Sequence, residues 1–150
     1  MKMRYVFAIT TAVLLAACST AVGPGKLIKT DHPSICDQAH FQEFLDSFAQ
    51  DVQVQRQHTE FPLHKRAFRH VTTQVEPIPV ESVLKESEVR FPVYPSPHEL
   101  RERSLTAEVA AQGGRKAEVR VSRADTEYLV VYSFEHRGCW KLTRVEDQSR

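Results

Sequence analysis

The sequence predicts an α+β domain in which an N-terminal helix packs against a curved antiparallel sheet. A stripe of apolar residues at helical spacing predicts the helix, and its members are Phe41, Phe44, Leu45, Phe48 and Val52. Runs in which apolar and polar residues alternate predict strands, and these runs fill the last third of the chain. A helix followed by a group of strands is typical of a two-layer α+β arrangement.

The predicted helix begins near Pro33, because proline is tolerated in a first turn, and residues 34–37 (Ser-Ile-Cys-Asp) fit a capping box. Polar side chains lie off the apolar stripe, namely Gln42, Glu43, Asp46 and Gln50. We therefore interpret the stripe as core. The alternative interpretation is that the stripe lines a cofactor.

The last third of the chain predicts a meander of four strands. Apolar and polar side chains alternate with a period of two in residues 105–111 and again in residues 117–121. Two such runs on either side of Gly113-Gly114 are typical of a hairpin. Residues 128–134 are almost continuously apolar, and this indicates a central strand covered on both faces. Arg137-Gly138 then turns the chain into a final strand at 139–145.

The middle of the chain is harder to interpret because it is rich in proline. Residues 67–75 favour a first strand, since they include β-branched side chains. Five prolines follow between Pro77 and Pro97, with room for one short helix at 80–89 and a loop or edge at 91–97. A proline-rich peptide ligand is the alternative for this stretch.

The first residues predict a secreted, lipid-anchored chain. Lys2 and Arg4 precede an apolar run that is too short to span a membrane, as in a signal peptide. Leu15-Ala16-Ala17-Cys18 resembles the lipobox of bacterial lipoproteins, in which the cysteine thiol takes a diacylglycerol. The alternative is an ordinary signal peptide with a chance cysteine.

This resemblance implies a signal peptide at 1–17, a lipidated tether at 18–30 and a single domain at 31–150. Two or three acyl chains are needed for stable residence in a membrane, and a lipobox provides them. Ser19 follows the cysteine where an aspartate often retains lipoproteins in the inner membrane. The expected location is therefore the periplasmic face of the outer membrane, with the inner membrane as the alternative.

Cys36 and Cys139 are the two cysteines that remain after lipidation of Cys18. An even count in an oxidising compartment predicts a disulfide between them, with two separate buried thiols as the alternative. Loss of Lys2 and Arg4 leaves 18 basic against 19 acidic residues, so there is no positive excess to attract nucleic acid.

Two blocks of the sequence resemble known families. The first runs from Phe41 through Asp51 and Gln55 to Phe61-Pro62-Leu63 and resembles a family of uncharacterised bacterial envelope proteins. The second, residues 140–147, resembles the last strand of nuclear-transport-factor-2-like domains. These are packing motifs, so the resemblance implies a fold: a sheet wrapped around helices as a cone with an apolar pocket.

Enzymes with this fold place carboxylates, tyrosines or an Asp–His pair inside the cone. The corresponding candidates here are Asp46, Asp51, His70 and Tyr132, but none lies in a recognisable catalytic motif. We therefore predict no catalytic residue. No metal or cofactor is predicted either, because the spacing of His58, His64 and His70 is not that of a zinc site.

Two classes of function remain open. The first is a non-catalytic module that binds a periplasmic protein or a small apolar molecule, and its most specific form is an immunity lipoprotein that neutralises a delivered toxin. The second is a small enzyme of isomerase or hydrolase type. For binding, the candidate contact residues are Phe91, Tyr94 and His98, although the loop that carries them also fits a role as a cover for one sheet edge.

Overall fold

The computed structural model describes residues 36–69 and 76–149. Within these residues three helices and six strands follow in chain order, with short 3-10 turns at Gln38–His40 and Glu86–Glu88. The elements are α1 (Phe41–Gln50), α2 (Val52–Gln57), β1 (Thr59–Arg69), β2 (Ile78–Leu84), α3 (Pro97–Glu102), β3 (Thr106–Gly113), β4 (Lys116–Ser122), β5 (Leu129–His136) and β6 (Trp140–Asp147). The strands form one sheet in the order β2-β1-β6-β5-β4-β3. The predicted α+β class is confirmed.

Helix α1 is the predicted helix, but it is shorter than the apolar stripe. The Asp37 side chain accepts a hydrogen bond from the Ala39 amide (2.9 Å) and starts the 3-10 turn that leads into α1. Asp51 adopts an extended backbone conformation that ends α1, and its carboxylate accepts from the Gln53 amide (2.7 Å) to start α2. Val52 is therefore 38% exposed, and its predicted place in the core is wrong. Pro33 and Ser34 lie outside the described residues.

The predicted meander is confirmed, because β3, β4, β5 and β6 are joined in order by antiparallel pairing. The expectation of a wholly antiparallel sheet is wrong. Strand β1 lies beside β6 and runs parallel to it, with His64 opposite Arg144 and Arg66 opposite Glu146. The sheet is therefore mixed, with β6 between β5 and β1.

The two predictions for the middle of the chain need correction. The first strand begins at Thr59 rather than at residue 67, so it includes Phe61-Pro62-Leu63; residues 70–75 lie outside the described part of the chain. The helix predicted at 80–89 is wrong, because Ile78–Leu84 is strand β2, paired antiparallel with β1. Pro79 is tolerated there because β2 is an edge strand.

The core lies between α1 and the face of the sheet that we call the inner face. Three aromatic side chains of α1 pack on β5 and β6, with Phe41 4.7 Å from the Trp140 ring and both Phe44 and Phe48 within 6 Å of Phe134. Phe44, Phe48 and Trp140 are fully buried. Edge-to-face ring packing of this kind adds to the stabilisation from burial.

A disulfide joins Cys36 to Cys139, as the cysteine count predicts. It links the chain just before α1 to the turn between β5 and β6, across 103 residues of sequence. His136 lies beside it, with Nε2 2.7 Å from the Cys36 carbonyl oxygen and its ring stacked edge-on against Trp140. The start of the domain is thus fixed to the sheet.

The opposite, outer face of the sheet carries charged side chains. Arg66 and Arg144 both approach Glu81, at 3.5 and 3.3 Å, and Arg144 also pairs with Glu146. In the described part of the chain no further layer of helix or sheet covers this face over β5. Val131 on this face is nevertheless only 7% exposed, so β5 carries buried side chains on both of its faces.

Candidate binding site

The interior of the cone is filled. Phe41, Phe44, Phe48, Phe134 and Trp140 occupy the space between α1 and the inner face, each 1% exposed or less. The apolar pocket that the family resemblance implies is therefore reduced, within the described residues, to grooves at the margins of this packing. A depression of about 640 Å³ lies on the outer face, and two of its three charged lining residues, Arg66 and Glu146, already form ion pairs.

One groove of about 290 Å³ lies between α1, α3 and the edge strand β3. Six apolar residues form its walls: Leu45, Ala49, Pro97, Leu100, Ala107 and Val109. Asp46 is the one charged residue among the groove's lining residues, and Tyr94 lies at the groove as well. We call this feature the α1–β3 groove.

Asp46 is placed at the groove by the helical spacing of α1, one residue after Leu45. Its carboxylate accepts a hydrogen bond from the Gln42 amide nitrogen (2.9 Å), one turn earlier on the same helix. In the described part of the chain no basic side chain forms an ion pair with it. The carboxylate is exposed and free to meet a cation from outside.

Tyr94 lies under the groove and is 2% exposed. Its ring contacts Phe48 and Tyr132, with centroids 6.0 and 4.8 Å apart. Burial, with a smaller contribution from the charge of Asp46, raises the pKa of the phenol to about 12. The hydroxyl therefore stays protonated at neutral pH, and among residues 36–69 and 76–149 it has no hydrogen-bond partner.

A buried amide, Gln55, holds the proline-rich segment in place. Its side-chain oxygen accepts hydrogen bonds from the Val93 and Tyr94 amides (2.8 and 3.2 Å). Its side-chain nitrogen donates to the Tyr94 carbonyl oxygen (3.0 Å). Gln55 is 1% exposed. One side chain thus satisfies three backbone groups in a stretch that has no regular secondary structure of its own.

The three predicted contact residues have different environments. Tyr94 is buried, so its side chain is not available on the surface. Phe91 is half-buried, with the Arg56 guanidinium 4.6 Å from its ring centroid. The His98 side chain is 78% exposed and lies 3.7 Å from Glu102. Phe91 is therefore partly exposed on the loop and His98 is exposed on the first turn of α3, while Tyr94 fixes the loop to the core.

The four catalytic candidates are not brought together. Asp46 lies at the groove, whereas Asp51 caps the start of α2. Tyr132 is 5% exposed, and burial raises its pKa far above the usual range for a phenol. His70 lies outside the described residues.

The histidines that the structure describes serve other roles. His58 is buried, and its Nδ1 lies 2.9 Å from the Trp140 carbonyl oxygen. Burial lowers its pKa, which favours the neutral form that donates this hydrogen bond. His64 is exposed on β1. Among the described residues no group of three or more His, Cys, Asp or Glu side chains is arranged to hold a metal ion.

Sequence reasoning missed α3 and the role of Gln55. A signal for α3 was present, because Ser96 and Glu99 form a capping box and Pro97 occupies the first helical turn. Gln55 belongs to the first of the two blocks that carry the family resemblance, but its partners lie 38 and 39 residues away. Nothing in the sequence identifies those partners.

Comparison with known proteins supports the fold. No family model matches the chain, and no curated protein matches it. The structure is similar to the crystal structure of an NTF2-like protein from Bacteroides fragilis, with a TM-score of 0.53 and 16% sequence identity. The match covers 73% of this chain and 47% of that one, so this chain spans about half the length of the Bacteroides protein. In the described residues no helix is long and apolar enough to cross a membrane. The domain has a nuclear-transport-factor-2-like fold.

Proposed function

We propose that the chain is a lipid-anchored protein on the periplasmic face of the outer membrane and that its domain binds a protein partner without catalysing a reaction. The anchor is supported by Leu15-Ala16-Ala17-Cys18, which lies outside the described residues. The binding activity is supported by one observation above all: Gln55 makes three hydrogen bonds to the backbone of Val93 and Tyr94 in the proline-rich segment.

A loop that is already ordered loses little conformational entropy when a partner docks on it. Residues 91–96 have no helix or strand, yet Gln55 and the buried Tyr94 ring fix their backbone. Pro92 and His98 are exposed near the two ends of this segment. Loops carried on a rigid scaffold in this way commonly form binding surfaces.

The filled interior also favours binding over catalysis. Catalysis needs a nucleophile, acid or base placed where a substrate can be held close to it. Here the centre of the cone is occupied by the rings of Phe44, Phe48 and Trp140. A partner is therefore expected to contact the margins of the cone and not its interior.

One observation favours the second candidate, a small enzyme of isomerase or hydrolase type. Asp46 and the protonated phenol of Tyr94 line the same groove, so a base and a hydrogen-bond donor are both present there. Turnover of a small molecule that is abolished by Asp46→Asn, with folding unchanged, would establish this candidate in place of the first.

The most specific form of the binding proposal is an immunity protein, which inhibits a toxin delivered into the periplasm. A lipid anchor confines the domain to one surface and raises its effective concentration against anything that arrives there. Co-expression with the products of neighbouring genes tests this form directly. We expect one of those products to be toxic in the periplasm only when the lipoprotein is absent.

In-cell photo-crosslinking with the full-length lipoprotein tests the binding proposal. A photoreactive amino acid at position 92 or 98 is expected to capture the same protein. The control position is Val83, which is 56% exposed on the outer face of β2. Equal capture from all three positions, or capture at Val83 alone, would contradict a contact surface at this loop.

Fatty-acid labelling of cells tests the lipid anchor. We expect the wild type to be labelled and Cys18→Ala to lose the label, and equal labelling of the two would rule the anchor out.

A further inference from the structure

We propose that the α1–β3 groove is an anchor site for a basic side chain, lysine or arginine, carried on an extended segment of the protein partner. This inference rests on the proposed binding function and specifies the chemistry of the partner at one site. Four properties of the groove support it: its size, its charge, an unpaired hydroxyl and the strand at its border.

The size and walls of the groove fit one long side chain. Its volume of about 290 Å³ is just below the roughly 300–1,000 Å³ found for small-molecule pockets. The walls are aliphatic, with Leu45, Leu100 and Val109 among them. Lysine and arginine bury their methylene stems against such surfaces while the charged group remains near water.

The charge of the groove favours a cation. Asp46 is the sole charged lining residue, and its recorded hydrogen bond is to Gln42 on the same helix. Helix α1 also carries Glu43 and contains neither lysine nor arginine. Glu108 is the only charged residue of β3. Helix α3 carries Arg101 together with Glu99 and Glu102, so the charge that favours a cation at the groove is that of Asp46, which has no basic partner in the described residues.

The hydroxyl of Tyr94 provides a second polar group for the same cation. Tyr94 lines the groove and is 2% exposed, yet in the part of the chain that the structure describes its hydroxyl makes no hydrogen bond. The hydroxyl oxygen is not among the fully enclosed polar atoms of the described residues, so a group that enters the groove can reach it. An ammonium or guanidinium N–H entering the groove would donate to the phenol oxygen.

The strand beside the groove supports an extended partner segment. β3 is the last strand of the sheet, it pairs only with β4 among the described strands, and it contributes Ala107 and Val109 to the groove. An extended peptide that adds to such an edge gains main-chain hydrogen bonds and directs alternate side chains to one face. The other edge strand, β2, contains Pro79, which lacks an N–H for such pairing.

Selection from a displayed library of random heptapeptides on the full-length lipoprotein tests the proposal. We expect enriched peptides to alternate apolar residues and to carry lysine or arginine. On Asp46→Lys the preference is expected to change to aspartate or glutamate. The matched control is Glu43→Lys on the same helix outside the groove, which should retain the basic preference. Lack of basic enrichment on the wild type, or the same preference on Asp46→Lys, would overturn the proposal.

Two further measurements identify the role of each group. Tyr94→Phe keeps the buried ring and removes the hydroxyl, so the affinity of an enriched peptide should fall about five- to tenfold while the midpoint of unfolding is unchanged. Hydrogen exchange should show protection of the β3 amides when the peptide binds. Unaltered exchange in β3, or binding of pentylamine as tight as that of the peptide, would contradict an extended protein segment as the source of the cation. If these tests fail while crosslinking at positions 92 and 98 persists, the proposed function stands and only the groove assignment is lost.

Discussion

The two faces of the sheet are stabilised in different ways. On the inner face, α1 packs aromatic rings on β5 and β6, and the large side chains there are fully buried. On the outer face, arginine and glutamate side chains from β1, β2 and β6 pair in partial contact with water, with Arg144 36% and Glu81 56% exposed. Burial of apolar area stabilises a fold far more than exposed ion pairs do.

This difference shows which face determines the fold. The stabilisation from the inner face depends on the shape and burial of its side chains, so few residues can replace each aromatic ring there. The outer face depends on charges that water can also solvate, so single replacements there should be tolerated. The predictions below test this contrast, and they begin with the inner face, where the largest effects are expected.

Truncation of the inner aromatic residues should cause the largest loss of stability. Phe48→Ala and Trp140→Ala each remove a ring that is 0% exposed. Removal of a buried aromatic side chain typically lowers the free energy of unfolding by about 3–5 kcal/mol. Chemical denaturation measures the change. Losses below about 1 kcal/mol at both positions would show that the inner face is not the stabilising one.

The disulfide fixes the chain that leads into α1 over the inner face. Replacement of Cys36 and Cys139 together by serine should lower the free energy of unfolding by about 2–4 kcal/mol, because the unfolded chain regains the freedom of a long closed loop. Thermal unfolding of the double variant against the oxidised wild type measures this loss. An unchanged midpoint would mean that the inner packing alone holds this segment.

Gln55 holds the loop that borders the inner face. Gln55→Leu leaves the Val93 and Tyr94 amides without their acceptor, and an unsatisfied buried polar group costs about 1–3 kcal/mol. Gln53→Leu is the matched control, since Gln53 lies exposed on the same helix. We expect a loss of stability and of crosslinking at positions 92 and 98 in the first variant alone. Equal behaviour of the two variants would mean that Gln55 does not order the loop.

His58 makes the inner side of the molecule sensitive to pH. Burial lowers its pKa in the folded state below the ordinary value of 6.5, so the unfolded chain binds a proton more readily than the folded one. The free energy of unfolding should therefore fall as the pH decreases from about 6.5 through the lower pKa of the folded state. His58→Gln should remove this contribution to the pH dependence of the free energy of unfolding. His64→Gln, at an exposed position, should leave the pH dependence unchanged. Denaturation at a series of pH values measures both.

The smallest effect is expected on the outer face. Arg144→Gln removes contacts with Glu81 and Glu146, which are partly exposed. Ion pairs of this type typically contribute about 0–1 kcal/mol. Denaturation in low and high salt should show a loss within this range that shrinks as salt rises. A loss as large as that of Trp140→Ala would mean that the two faces contribute equally.

The contrast between the faces also explains what the sequence could predict. Helix α1 and strands β3–β6 were predictable because apolar residues recur at the period of each element and one face of each is buried. Strand β2 was not predictable, since it contains Pro79 and pairs with β1 only at an edge. The parallel pairing of β1 with β6 joins residues about eighty apart, and no local pattern reports it.

The candidate site was predictable only in part. The proline-rich segment was identified correctly as a loop, but Tyr94 was named as a candidate contact residue for a partner, whereas its side chain is buried. Its burial depends on contacts with Phe48 and Tyr132, both far away in the sequence. The α1–β3 groove likewise combines side chains from three separate elements, so its shape emerges only from the assembled fold.

The position of β6 between β1 and β5 has a consequence for biosynthesis. A ribosome releases β1 and β2 early, but the neighbour of β1 in the sheet is made only when residues 140–147 emerge. Until then the aromatic side of α1 also lacks Trp140, one of its principal contacts. The native core is therefore completed only when the last strand of the described chain has been made.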